Sequence, residues 1–424
     1  MTKAICSFCG KNQDEVDKDD AGGGVMVAGP AVHICDDCIE TAQSAVDATR
    51  AERRRLKGAS GVPTPREIDE YLGGHVVGQR RARRVISVAV HNHYVRQQQR
   101  EAGKTTIQLD KSNILLIGPT GTGKTHIART LATYLDVPFI TADATTLTEA
   151  GYVGDDVESI ISKLIQAADG DVERAQKGII FLDEIDKIAR RAAGASVTRD
   201  VSGEGVQQGL LKLIEGTVAH VTPNGGRKNP EATLIKFDTT GVLFICGGAF
   251  AGLEKIIAAR LENKSIGFSG NVDGESSDKV GELFAKKTPQ DITDFGLIPE
   301  LVGRLPVIAT LEDLDVKTLV SILTEPKNAI VKQFRYMFEL KGVELNFSDD
   351  SLFELATAAI ARKTGARGLR SIIEEMLNDT MYDLPDIAAE TEAFEIDADV
   401  VSGKTTPRRV PKPSNDDVVL NEAV

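Results

Sequence analysis

Short, wholly apolar runs alternate with helix-spaced apolar positions through the middle of the chain. Asn113-Ile-Leu-Leu-Ile117, Gly178-Ile-Ile-Phe-Leu182 and Gly241-Val-Leu-Phe-Ile-Cys246 have the pattern of strands buried on both faces of a parallel sheet. A further strand is expected at Pro138–Thr141. Between these runs Thr125–Leu135 has helical spacing, and Val157, Ile160, Ile161, Leu164 and Ile165 repeat as one helix face. The alternation predicts an α/β fold with a parallel sheet between layers of helices. Beyond Leu311 the pattern turns mainly helical. One strand is expected at Val343–Phe347, and Ser351 with Glu354 reads as a helix capping box.

The breaks in this pattern divide the chain. Arg50–Glu67 mixes a basic run with Gly, Ser and two prolines, a composition that cannot bury a core and reads as a linker. The expected organisation is a small N-terminal unit over 1–50, a linker over 51–66, a large α/β domain over 67–311, a small helical domain over 312–400 and a flexible tail over 401–424. At about 150 residues per domain, 424 residues accommodate roughly three domains. Ala192–Gly205, Thr222–Thr233 and Glu262–Pro289 interrupt the large domain without periodicity of their own, and loops this long are usually functional or disordered.

Composition narrows the function classes. No uninterrupted apolar stretch reaches the about 18 residues of a membrane span. The start, MTKAICSFCG, lacks the pattern of a secretory signal, so a cytoplasmic protein is expected. Lys+Arg 50 against Asp+Glu 63 leaves −13, which argues against a nucleic-acid coat. The absence of Trp argues against a base-stacking platform.

Two motifs carry chemistry. Gly118-Pro119-Thr120-Gly121-Thr122-Gly123-Lys124-Thr125 matches the phosphate-binding pattern G-x-x-x-x-G-K-[ST] between a strand and a helix, and His126 beside it is counted in the nucleotide site. In that context glycines let backbone N–H groups wrap phosphate oxygens, Lys124 neutralises the β- and γ-phosphates, and the Thr125 hydroxyl binds Mg²⁺. Asp183, at the end of the 178–182 run, is placed to reach the same Mg²⁺, and Glu184 to polarise the attacking water. A glycine-rich turn and a solvated acidic turn are the bland readings of its two parts, but their pairing favours a nucleotide site. No N-K-x-D guanine motif is present, so the chain is expected to be an ATPase.

The second motif is Cys6-x₂-Cys9 with Cys35-x₂-Cys38. Four thiolates suit tetrahedral, structural Zn²⁺, and metal binding can supply about 10–16 kcal/mol of folding free energy to a unit too small for a good core. A redox dithiol pair is the alternative. His33 is not assigned as a ligand, and Cys246 reads as a small core residue.

On these motifs the chain resembles the AAA+ superfamily and, within it, the ClpX family of protein-unfolding ATPases, over about residues 3–390. The resemblance implies that Val76 and Val77, in Val76-Val77-Gly78-Gln79, pack against adenine. It implies that Arg304 is an arginine finger supplied to a neighbouring subunit's ATP, and Arg367, in Gly365-Ala366-Arg367, a second sensor of the phosphates. A homohexamer follows. No sensor residue is assigned at Cys246-Gly247-Gly248, where many relatives carry a polar side chain.

Tyr152 and Val153, between Gly151 and Gly154, resemble the pore loop that grips a threaded polypeptide, and Arg199 begins a second pore-loop match. Arg227-Lys228-Asn229 stands where the family often has Arg-Lys-His at the pore entrance. Ile266-Gly267-Phe268 resembles the tripeptide that docks the Clp peptidase. The implied activity is ATP-dependent unfolding and delivery of tagged proteins to that peptidase, with adaptors meeting the zinc unit and no membrane or nucleic-acid partner. No H-E-x-x-H or protease triad is apparent, so cleavage is assigned to the partner. A remodelling chaperone without a peptidase and a DNA-directed AAA+ motor are the alternatives.

Overall fold

In a computed structural model of the chain, the three apolar runs are neighbours at the centre of one sheet. Residues 5–12, 16, 25–29, 32–39, 41–42, 61–103, 110–148, 155–189, 203–221, 234–264, 281 and 283–412 are described. Two compact units form, Met1–Pro63 and Thr64–Val424. The N-terminal unit contains an antiparallel pair, β1 (Met26–Ala28) and β2 (His33–Cys35).

The second unit begins with helices α1 (Pro65–Gly73) and α2 (Arg80–Glu101), followed by β3 (Ile114–Ile117), α3 (Lys124–Leu135) and β4 (Phe139–Asp143). A short pair, β5 (Leu147–Thr148) and β6 (Asp155–Asp156), precedes α4 (Ser159–Ala167), α5 (Val172–Ala175) and β7 (Ile179–Asp183). Next come α6 (Glu204–Glu215), the antiparallel β8 (Val218–Val221) and β9 (Ile235–Asp238), and β10 (Leu243–Gly248). The large domain closes with α7 (Leu253–Lys264), α8 (Pro289–Phe295), α9 (Pro299–Gly303) and β11 (Val307–Thr310).

The main sheet has the order β11-β3-β10-β7-β4, and every pairing is parallel. Alternation along each strand feeds two separate cores. Leu115, Ile117, Ile180, Leu182, Phe244 and Cys246 pack with residues of α4, α6, α7 and α9 on one face. Ile114, Leu116, Ile179, Phe181, Leu243 and Ile245 pack with α1, α2 and α3 on the other. This is why the runs carry no polar positions. Cys246 is wholly buried, and burial pushes its thiol up to about 12. Val157, Ile160, Ile161, Leu164 and Ile165 are all buried on the first face, as their spacing predicts.

The chain then continues through α10 (Val316–Thr324), α11 (Ile330–Glu339), β12 (Glu344–Phe347), α12 (Asp349–Ala361), α13 (Ala366–Ile387), β13 (Thr391–Ile396), α14 (Ala398–Val401) and β14 (Arg408–Pro411). Their core holds Phe334, Phe338, Leu369, Ile373 and Phe394.

Three expectations are corrected here. The N-cap of α12 is Ser348, whose Oγ accepts from Ser351 N at 3.1 Å; Ser351 is buried inside the first turn and does not open the helix. The helical domain carries a three-stranded sheet, β12-β13-β14, where one strand was expected. Residues 401–412 are not a free tail: β14 pairs antiparallel with β13, and Arg409 Nε donates to Thr391 Oγ1 at 2.7 Å. β14 is mostly exposed and is held by backbone pairing and arginine contacts, so no apolar periodicity marks it. The expected loops are also shorter at their ends, since α6 starts at Glu204 and α7 runs to Lys264.

A buried ion pair joins α7 to α8. Arg260 Nε and a terminal guanidinium nitrogen donate to Asp291 Oδ1 and Oδ2 at 2.7 and 3.0 Å, and Thr288 N and Oγ1 also donate to Oδ2. The Asp291 side chain is only 1% exposed. Burial pushes its carboxyl up, but the hydrogen bonds from Arg260 and Thr288 outweigh this and hold it below the usual carboxylate range. Arg260→Met leaves that carboxylate buried without its counter-ion and should cost about 3–5 kcal/mol. In denaturant titrations the Arg260→Met, Asp291→Leu double variant should be less destabilised than Arg260→Met alone.

Candidate functional site

The phosphate loop follows the carboxyl end of β3 and runs directly into α3. Gly123, at φ 94, is the N-cap, and no side chain caps the helix. The N-terminal N–H groups of α3 are therefore available to an anion, where the helix dipole also favours negative charge. Gly121 has φ 82, and a Cβ there would lie 2.6 Å from Thr364 O, so both conformation and contact require glycine. Thr122 Oγ1 donates to Pro119 O at 2.8 Å and braces the loop, while Thr120 is exposed at its tip. Lys124 Nζ donates to Gly118 O at 2.6 Å and Pro119 O at 2.9 Å. Burial pulls its ammonium below the usual lysine range; Asp183 and Asp186 oppose this, and Arg367 adds to it. His126 is exposed on the first turn of α3, its Nε2 3.3 Å from His75 O.

Parallel pairing brings the carboxylates to the same edge. Thr125 Oγ1 donates to Asp183 Oδ2 at 3.2 Å, so the two groups read as Mg²⁺ partners are in contact. Glu184 is exposed, with φ 56 and ψ 33, and its N–H donates to Asp183 Oδ1 at 3.0 Å. A left-handed glutamate is uncommon, and such strain concentrates at working sites. Sequence reasoning missed Asp186. Its buried carboxylate accepts from Ala249 N at 3.2 Å and Phe250 N at 3.3 Å, tying the end of β7 to the end of β10. The available signal was a third acid one helical turn beyond Asp183.

The two arginines are separated by the sheet. Gly365 and Ala366, at the start of α13, meet the phosphate loop, where Ala366 N donates to Gly121 O at 3.3 Å. Arg367, exposed in the first turn of that helix, is close enough to act on the charge of Lys124. Arg304 immediately follows α9 and precedes β11, whose Val307 pairs with Ile114 at the beginning of β3. It therefore sits at the amino ends of the strands, while the phosphate loop sits at the carboxyl ends. Asn113 Nδ2 donates to the Arg304 carbonyl at 3.1 Å, and Arg304 Nε meets Glu215 Oε1 at 2.9 Å.

Val76 is buried and Val77 half-buried on the wall of a cavity of about 360 Å³ that also touches Glu325 and Pro326. Tyr152, Val153, Arg199, Arg227, Lys228, Ile266, Gly267 and Phe268 lie outside the described residues.

In the N-terminal unit the Sγ atoms of Cys6, Cys9, Cys35 and Cys38 all lie within 4.8 Å of one another, the one such cluster among the described residues. Cys9 Sγ and Cys35 Sγ are 3.6 Å apart, close to the about 3.8 Å edge of a tetrahedron with Zn–S bonds of about 2.3 Å. Tight turns present the sulfurs: Gly10 N donates to Cys6 O, and Cys35 N points at Cys6 Sγ at 3.4 Å. The backbone N–H of Cys9 lowers the Cys6 thiol to about 6, against its burial, whereas burial and the neighbouring sulfurs push Cys38 up. The imidazole of His33 is not part of the cluster. Among the described residues of this unit, Val16 is the buried apolar side chain beside the cysteines, with Met26 and Ile34 packed against them.

Cys9→Ser should lower bound zinc from about one per chain and collapse the dispersed NMR resonances of Cys6–Gly10 and of β1 and β2. Cys246→Ser should leave the metal content unchanged when both are measured by elemental analysis.

Comparison with known proteins agrees with this geometry. Residues 109–308 match the family model described as AAA domain (Cdc48 subfamily), residues 4–48 the ClpX C4-type zinc finger, and residues 314–389 the C-terminal, D2-small domain of ClpB protein. The ATP-dependent Clp protease ATP-binding subunit ClpX of Treponema denticola is 50% identical over 389 residues, 92% of each chain. With its phosphate loop, its adjoining carboxylates and its four-cysteine zinc site, the chain is an ATPase, not itself a peptidase, and belongs to the ClpX family.

Proposed function

We propose that the chain works as a homohexameric ATP-driven unfoldase and translocase that recognises tagged proteins, threads them through its central pore and hands them to a Clp peptidase. The observation that carries the reading is the opposite placement of Arg367 and Arg304. Arg367 stands beside its own phosphate loop, while Arg304 lies across the sheet at the amino ends of the strands. Four strand residues span about 13 Å, so Arg304 serves a second nucleotide rather than its own. A closed ring gives every site one arginine from within and one from the partner subunit.

At each site Lys124 exchanges the carbonyls of Gly118 and Pro119 for phosphate oxygens. Thr125 and Asp183 would hold Mg²⁺, which would neutralise phosphate charge when bound. Glu184 accepts the proton of the attacking water, and its exposure lets water reach it. Arg367 and the partner subunit's Arg304 stabilise charge developing on the transferred phosphoryl group, a contribution of about 10³–10⁵ in rate where it is well characterised. Val76 and Val77 meet the base.

Tyr152 and Val153, with Arg199, Arg227 and Lys228, are the surfaces that grip the polypeptide. Ile266, Gly267 and Phe268 dock the peptidase, and the zinc unit receives substrates or adaptors. The setting is cytoplasmic; among the described residues no helix is long and apolar enough to cross a membrane.

Glu184→Gln should reduce kcat for ATP hydrolysis by about 10²–10⁴ while nucleotide binding persists. Filter-binding of ATP beside phosphate release separates the two, and undiminished turnover would remove Glu184 as the base. Tyr152→Ala should instead keep ATP turnover within about threefold and slow unfolding of a tagged stable protein by about tenfold or more. Deleting 266–268 should stop peptidase-dependent degradation and spare unfolding, read by loss of fluorescence from a tagged fluorescent protein with and without the peptidase.

A further inference from the structure

Gln79 is an unusual N-cap. It begins α2 with φ 52 and ψ 29, a conformation that a residue with a side chain adopts rarely, and it caps nothing. Its side chain goes elsewhere. Nε2 donates to Glu312 O at 2.8 Å, and Glu312 N donates back to Oε1 at 2.8 Å. The amide thus replaces a strand partner for a single residue 233 positions away, and Gln79 is only 5% exposed.

Glu312 lies on the connection between the two domains. Leu311 N still bonds to Ile117 O of the sheet, and Asp315 is already the N-cap of α10. The same short segment that carries Gln79 is tied again at Gly74, whose carbonyl accepts from Lys327 N at 3.3 Å, just before α11. Val76 and Val77 sit between the two ties. The helical domain also carries Arg367 to the phosphate loop through the Ala366–Gly121 contact. The segment at Val76–Val77 is thus hydrogen-bonded through Gln79 to the connection that leads into the domain carrying Arg367.

We propose that Gln79 is a positioning residue for ATP hydrolysis. Its paired hydrogen bonds to Glu312 transmit occupancy of the base site to the orientation of the helical domain, and so set the approach of Arg367 to the phosphates. This rests on the readings of Val76 and Val77 as base contacts and of Arg367 as a phosphate-facing arginine. The side-chain amide of Gln79 is engaged by Glu312, so it acts through that residue. A buried amide making two hydrogen bonds could also be merely structural, so the test needs a readout that simple destabilisation does not move.

A double-mutant cycle supplies it, using the full chain with ATP. Gln79→Met keeps the length of the side chain and removes both hydrogen bonds. It should lower kcat about tenfold with Arg367 present and less than about twofold in an Arg367→Ala background, with KM moving less than about threefold. Equal losses in both backgrounds, or no loss in either, would overturn the proposal. If Arg367→Ala alone turns over like the unaltered chain, the arginine reading fails, and the link to Arg367 fails with it.

Amide hydrogen exchange then decides the tie itself without any variant in the first arm. ADP should slow exchange at 311–313 in the unaltered chain by about fivefold or more. Gln79→Met should erase that response and leave protection of 369–377 as before. Exchange at 311–313 that ignores ADP, or that responds equally in Gln79→Met, overturns the tie.

Discussion

Because β3, β10 and β7 run parallel, their carboxyl ends open along one edge of the sheet. The chemistry of the protein depends on that alignment. The phosphate loop leaves β3, Asp183 and Glu184 leave β7, and Gly248 leaves β10, all on the same side. A strand buried on both faces has no polar side chain to offer along its length, so reactive groups can only gather where the strands end. The same alignment sends Arg304 to the opposite edge, ahead of β11. A single copy therefore carries its phosphate loop and acidic turn at one end of the strands and Arg304 at the other, the placement on which the proposed ring would draw.

The helical domain solves a second problem set by that edge. An open edge admits water and leaves the phosphate loop unsupported. The start of α13 lies against Gly121 so closely that no Cβ fits between them. The loop is thus part of an interface between domains, and its geometry depends on where the helical domain sits. Lys124 shows the same closeness: Asp183 and the neighbouring domain's Arg367 both lie near enough to act on its ammonium.

Much of this was legible in the sequence, for a physical reason. Apolar periodicity records burial, so the three central strands and the α4 face stand out. Glycine spacing records close approach to phosphate, and cysteine spacing records tetrahedral metal chemistry. What escaped was held by contacts between distant parts of the backbone. β14 is exposed and earns its place by pairing with β13, which no local pattern announces. Ser348 was overlooked because Ser351, three residues later, imitates a cap while being buried behind it. Gln79 is visible as part of a motif, but nothing in its neighbourhood points to Glu312. The pore-loop and docking residues rest on resemblance alone, since they lie outside the described residues.

The missing polar residue at the end of β10 has a structural explanation. A Cβ at Gly247 would lie 2.6 Å from the Phe181 ring, and one at Gly248 would lie 2.6 Å from Asp186 Oδ1. The space a sensor side chain would occupy is already filled from β7 and the turn after it. Asp186 takes over the end of β10 by accepting from the N–H groups of Ala249 and Phe250, which makes it a bridge between that strand and the Asp183–Glu184 turn. Gly248 O in turn accepts from Gly118 N at the root of the phosphate loop. A displacement of the turn that holds Glu184 therefore has a continuous hydrogen-bonded route to the phosphate loop, through Asp186 and the backbone of β10.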